Sequence, residues 1–133
     1  MDKSEPIRCR IAACRESLND GNQWSFYLIN DSGAPLEWAV LDEVSYEWGD
    51  EGSSEPGRVR IADLAPGAHA LIWRDDGSGA ELRMELSLRV QVGGREAQLS
   101  FEFPKLYRLM GLPMVPGLGK SGYPVAAEGR LSE

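Results

Sequence analysis

Three groups of residues in this chain of 133 carry side chains at spacings that chemistry can use: a glycine-rich stretch with a lysine, a lone histidine with two cysteines, and several sets of carboxylates. Gly117-Leu118-Gly119-Lys120-Ser121-Gly122 has the Gly-Lys-Ser ending of a loop that wraps phosphate. Such a loop needs a glycine five residues before Gly119, where this chain has Met114, and a helix afterwards, where it has Gly122-Tyr123-Pro124. His69 is the only imidazole, so a serine or cysteine triad would have to use it. It stands between Ala68 and Ala70 with no nucleophile elbow beside it, and a structural role is expected. Cys9 and Cys14 are an odd number of residues apart, so on one strand they point to opposite faces and cannot join. They read as buried or half-buried thiols in a reducing compartment, and with a single distant histidine they do not compose a zinc site. Asn19-Asp20-Gly21-Asn22 and Asp75-Asp76-Gly77-Ser78-Gly79 carry oxygen ligands, yet neither completes a calcium loop, and turn formation explains both. No catalytic residue, metal or cofactor is expected.

The elements that must position these residues are strands. In Leu82 to Val92 every second residue is apolar: Leu82, Met84, Leu86, Leu88, Val90 and Val92. Gly93-Gly94 can adopt the positive φ angles of a two-residue hairpin turn, after which Ala97, Leu99, Phe101 and Phe103 resume the alternation. Folding there sets Leu88 opposite Leu99 and Leu86 opposite Phe101, and a slip of one residue would turn each apolar side chain into water. Glu85 then faces Glu102, a like-charge pair that Arg83 and Arg89 on the same face can relieve. Earlier strands are expected at Ile7 to Ala13, at Gln23 to Asn30 and from Leu36 onward. The second has two apolar faces, so it is central or has its outer face covered. In the third, Leu36, Trp38, Val40, Val44, Tyr46 and Trp48 would share a face but for Asp42, which predicts a bend at Asp42-Glu43. A mobile acidic loop over Gly49 to Gly57, a short strand at Val59 and Ile61, a turn at Leu64-Ala65-Pro66-Gly67 and a strand from Ala68 to Trp73 complete the series.

Seven or eight strands with turn chemistry between neighbours predict an all-β, antiparallel two-sheet sandwich of immunoglobulin-like type over residues 1–103, with a small barrel as the alternative closure. Residues 104–133 form a second region, an irregular arm broken by glycine and proline yet too apolar for a solvated tail, packed on the sandwich or on a partner subunit. The net charge of −7 divides into −9 over residues 1–103 and +2 over 104–133, with no cation between Arg15 and Arg58. That acidic body should repel a phosphate backbone, so no direct nucleic-acid contact is expected. No apolar run approaches the roughly 20 residues that cross a bilayer, and the first residues are not a basic lead into an apolar one. A cytoplasmic protein without membrane contact is expected.

Phe26-Tyr27-Leu28-Ile29-Asn30-Asp31-Ser32, together with Phe103-Pro104-Lys105-Leu106-Tyr107-Arg108-Leu109 and a tail ending Tyr123-Pro124-Val125, resembles the β-sandwich domain that precedes small MutS-related (Smr) domains in MutS2-like bacterial proteins. The resemblance spans roughly residues 8–125, without an Smr domain after it. It implies an accessory or interaction module in a DNA-processing system, with no catalytic residues to carry over. The aromatic content points the same way. Tyr27, Tyr46 and Trp48, if exposed near the acidic stretch, would form a binding face, and Leu106, Tyr107, Leu109, Met110, Met114 and Tyr123 would let the arm hold a protein partner or a second copy as a homodimer. The expected function is protein interaction or assembly, with a carbohydrate- or peptide-binding module as the alternative.

Overall fold

The computed structural model describes residues 7–16, 23–48, 51–75, 83–104 and 112–129. Eight strands follow in order: β1 (Ile7–Glu16), β2 (Gln23–Asn30), β3 (Leu36–Trp48), β4 (Glu51–Leu64), β5 (His69–Asp75), β6 (Arg83–Val92), β7 (Arg95–Phe103) and β8 (Tyr123–Gly129). They make two four-stranded sheets, β5-β2-β1-β8 and β4-β3-β6-β7, with every pairing antiparallel. This is an immunoglobulin-like sandwich in which β4 extends the sheet of β3, β6 and β7, and β8 adds a strand beside β1. The two inner faces enclose one core, in which Ile7, Ile11, Phe26, Leu28, Leu41, Leu86, Phe101 and Phe103 are fully buried.

The β6–β7 hairpin has the register its alternation dictates: Leu88 faces Leu99, Leu86 faces Phe101, and Gly93 and Gly94 take φ of 59° and 77°. Glu85 does face Glu102. Arg83 reaches Glu102 at 2.9 Å, whereas Arg89 turns to Asp42, bonding it at 2.7 and 3.0 Å.

The bend expected at Asp42-Glu43 is a bulge that shifts the register of β3 against both neighbours. Before it, Leu36 is buried in the core as expected, but the inward residues that follow are Ala39 and Leu41, not Trp38 and Val40, because Trp38 and Val40 pair with Gln91 and Arg89 of the outward set of β6. After it, Val44 and Tyr46 turn inward opposite Leu86 and Met84. Residues 51–57, expected in a mobile loop, instead belong to β4, a 14-residue edge strand. Their polarity reflects an exposed edge. Opposite the β3 bulge, Gly57 is packed so closely that a Cβ would collide with the Leu41 carbonyl oxygen, and Arg58 takes φ of 58°.

The C-terminal region is also more regular than an irregular arm. Residues 112–122 fold over the outer face of β1 and β2, where Val115 and Leu118 bury against Ala12, Cys14 and Ile29. The chain then enters the sheet as β8, with Pro124 opposite Ala12 on an edge strand whose free side tolerates proline. The cover explains the second apolar face of β2. Gly122 permits the approach, since a Cβ there would meet Cys14 Sγ at 2.8 Å.

Candidate functional site

The residues expected to bind fall in different places. Tyr27 lies half-buried on the outer face of the β1–β2 sheet. Lys120 Nζ donates to its hydroxyl at 3.0 Å and stands 4.8 Å from its ring centre, and His69 meets the ring edge-to-face at 5.8 Å. The Gly117–Gly122 stretch thus serves as a turn, with Gly117 and Gly119 at positive φ and Val115 N–H donating to the Lys120 carbonyl; a strand follows it, not a helix. Tyr123 packs inward on Phe103 at 6.2 Å. Met114 stands 64% exposed at the tip of the cover. Trp48 ends β3, but its side chain is outside the described residues, as are Leu106, Tyr107, Leu109 and Met110. The two oxygen-rich turns also fall there, except for Asp75. Among the described residues, no three His, Cys, Asp or Glu side chains gather as a metal site.

The Asn30-Asp31-Ser32 segment is a structural corner. Asn30 is fully buried and satisfied: its Nδ2 donates to the Ala34 and Leu64 carbonyls at 3.0 Å each, and its Oδ1 accepts from Ser32 N–H at 2.9 Å. Ser32 Oγ accepts from Arg8 N–H and donates to the Arg8 carbonyl, while Asp31 grips Arg10 in a two-pronged pair at 2.6 and 2.9 Å. The corner thereby ties β1, β2 and the end of β4 together. Burial in the core pushes the pKa of the nearby Cys9 thiol up to about 12, with the charge of Asp31 adding to the rise and a hydrogen bond to the Asp31 backbone opposing it.

Tyr46 is the expected residue that the fold brings into company. From Leu64 the chain turns through Gly67, at φ of 80°, into β5, so β4 and β5 leave one corner for different sheets and diverge. The gap between them is a groove of about 280 Å³ lined by Val59 of β4 and by Leu71, Ile72, Trp73 and Arg74 of β5. Leu71 is 37% exposed, an apolar side chain left at the surface. An extra residue at Ile72 shifts the β2–β5 register: Tyr27 pairs with Leu71, and Phe26 with Trp73. Tyr46, half-buried, donates its hydroxyl to Glu55 at 3.4 Å. Burial raises that hydroxyl well above the usual tyrosine range, with Asp75 and Glu55 adding to the shift. The Trp73 indole N–H lies near enough to oppose it but outside hydrogen-bond geometry, and it has no acceptor among the described residues.

The alternation of apolar residues did not point to this groove, although Leu71-Ile72-Trp73 held a usable signal. Three consecutive large apolar residues on one strand cannot all face one core. No family model matches the chain, nor does any curated protein or solved structure. The resemblance to the Smr-preceding domain therefore stands on its quoted residues alone.

Proposed function

We propose that the chain is a non-catalytic protein-interaction module of the cytoplasm whose recognition surface is the open seam between β4 and β5. The groove carries this reading: Val59, Leu71 and Trp73, above the buried Ile72, line an open, mostly apolar depression between two strand edges that no ladder joins. Recognition sites are typically concave and apolar with a few placed polar groups. Here Glu55 and Arg74 supply charge near the walls, and Tyr46 and Trp73 are of the residue types that dominate binding energy at interfaces. An accessory role of this kind is also what the resemblance to the Smr-preceding domain implies, in a DNA-processing system or another.

A carbohydrate platform is the competing reading, and it needs bare aromatic rings on an outer face. Trp38 has the guanidinium groups of Arg60 and Arg89 at 5.6 and 5.9 Å from its ring centre, and Tyr27 has Lys120 over it, so each ring already has a cation on it. Assembly through the arm is left to Met114 and to residues outside the described ones, since Val115 and Leu118 pack on their own sheet.

Selection from a random twelve-residue peptide library against the full chain, beside a glycan panel, tests the reading. Enriched peptides should lose at least tenfold in affinity on Leu71→Ser, a change at a partly exposed site that should cost only about 1 kcal/mol of stability. Peptides insensitive to that change, or glycans bound in their place, would sink the reading.

A further inference from the structure

We infer that the seam's ligand is an acidic protein segment, a short run in which carboxylates flank a large apolar residue, seated on Leu71 between Arg74 and Lys120. This rests on the seam being the recognition surface and names its ligand. The register of β2 against β5 decides what lies there. Ser25 pairs with Arg74, Tyr27 with Leu71 and Ile29 with His69, and Tyr27 and Ile29 belong to the outer face of their sheet. Leu71 and Arg74 therefore line the groove and also border that face. Asp75 pairs instead with Trp24 of the core and acts on Tyr46 from the inner side.

The charges around Leu71 are positive. Lys120 stands over Tyr27, the cross-strand neighbour of Leu71, with its ammonium 3.0 Å from the Tyr27 hydroxyl. Arg74 is exposed and makes no ion pair among the described residues. On the far wall, Arg58 is exposed beside Val59. Asp31, on the same sheet as Leu71, is held by Arg10, and Glu55, on the β4 side, accepts the Tyr46 hydroxyl. Carboxylates of a ligand thus belong towards β5 and the outer face, with its apolar residue on Leu71.

The sign of this patch is opposite to that of the chain, whose net charge is −7. On β3, β6 and β7 the outward Glu43, Glu47, Glu85, Glu96 and Glu102 outnumber Arg83 and Arg89. Packed sheets lie about 10 Å apart, and exposed charges are largely screened beyond roughly 8 Å at physiological salt. The local cations therefore govern what approaches Leu71. Complementary charge around an apolar anchor is what selects a partner at an interface. A second copy of the chain is a poorer occupant, since of the carboxylates on its acidic sheet Glu102 is tied to Arg83, Asp42 to Arg89, and Glu37 to Gln91 and the Gly94 N–H.

Fluorescence anisotropy of the full chain at physiological salt tests this with labelled decapeptides that alternate Glu with Leu, Lys with Leu, and Glu with Ser, beside a single-stranded oligonucleotide. NMR amide shifts locate the contact. The Glu-Leu peptide should bind with shifts centred on residues 69–74, at least tenfold more tightly than the other probes. Arg74→Glu should weaken it at least fivefold, and Arg95→Glu, the same change of net charge at the start of β7, by less than twofold. Equal binding of the Lys-Leu or Glu-Ser peptide, preference for the oligonucleotide, or equal effects of the two arginine changes overturns the inference. Oligomers in sedimentation that Arg74→Glu dissolves also overturn it, by making a second copy the occupant. Library-selected peptides that are basic or uncharged, yet still sensitive to Leu71→Ser, would overturn it while leaving the seam as the recognition surface. If neither experiment perturbs residues 69–75, both readings fall.

Discussion

The two seams of the sandwich, where an edge of one sheet meets an edge of the other, are built in opposite ways. At the first, β8 lies against β7, and Gly129 makes the approach possible: a Cβ there would meet the Gln98 carbonyl oxygen at 2.8 Å and a Leu99 methyl at 2.9 Å. Phe103 seals the inside of this seam, touching Phe26 edge-to-face at 5.2 Å and Tyr123 at 6.2 Å. At the second, β4 and β5 carry bulges and large side chains, and they part to leave the groove. Closure depends on a missing side chain as much as on attraction. Where Gly129 lets edges meet, apolar surface is buried; where Val59 and Trp73 stand, part of it stays at the surface.

Changes at the closed seam should cost stability, in decreasing order. A chain ending at Tyr107 loses β8 and the cover of Val115 and Leu118, uncovering one edge of β1 and the outer faces of Cys14 and Ile29. It should lose more than about 5 kcal/mol, beyond ordinary point changes, and circular dichroism should find no cooperative melt. Phe103→Ala should cost about 3–5 kcal/mol in urea denaturation, as the truncation of a buried aromatic. Gly129→Val, a wedge between β7 and β8, should cost about 1–3 kcal/mol by overpacking. A Phe103→Ala loss as small as that expected of Leu71→Ser would erase the contrast between the seams.

The smallest effect is visible in alkali. Folding holds the Cys9 proton, whose pKa rises from 9.0 to about 12, whereas the unfolded chain releases it near pH 9. Stability from this group is therefore whole below pH 9 and falls as pH rises towards 12, by about 1.4 kcal/mol from pH 8 to pH 10. Cys9→Ala should flatten that part of the decline in urea titrations at the two pH values. An unchanged slope would show that the thiol is not held in the core beside Asp31.

What could be read from the chain alone differs from element to element. β2 and the β6–β7 hairpin were legible to the residue, because alternation and the Gly93-Gly94 turn state the same register. The interruption at Asp42 was also legible, but the facing of Trp38 was not, since an apolar ring on an outer face is stabilised there by Arg60 and Arg89, which are distant in sequence. Tyr46 was singled out for its place near the acidic stretch. Its neighbour Trp73 was not, because their meeting depends on β4 and β5 entering different sheets.

The sequence by itself determined the all-β class, the pairing of adjacent strands across tight turns and the opposite facing of Cys9 and Cys14, because side chains alternate with period two and glycines mark where a chain can reverse. Only the tertiary structure decided that residues 51–57 are strand, that the chain's last apolar segment becomes β8, and that one seam closes while the other stays open. Those outcomes depend on partners far along the chain and on whether a side chain fits between two edges, which no local pattern encodes.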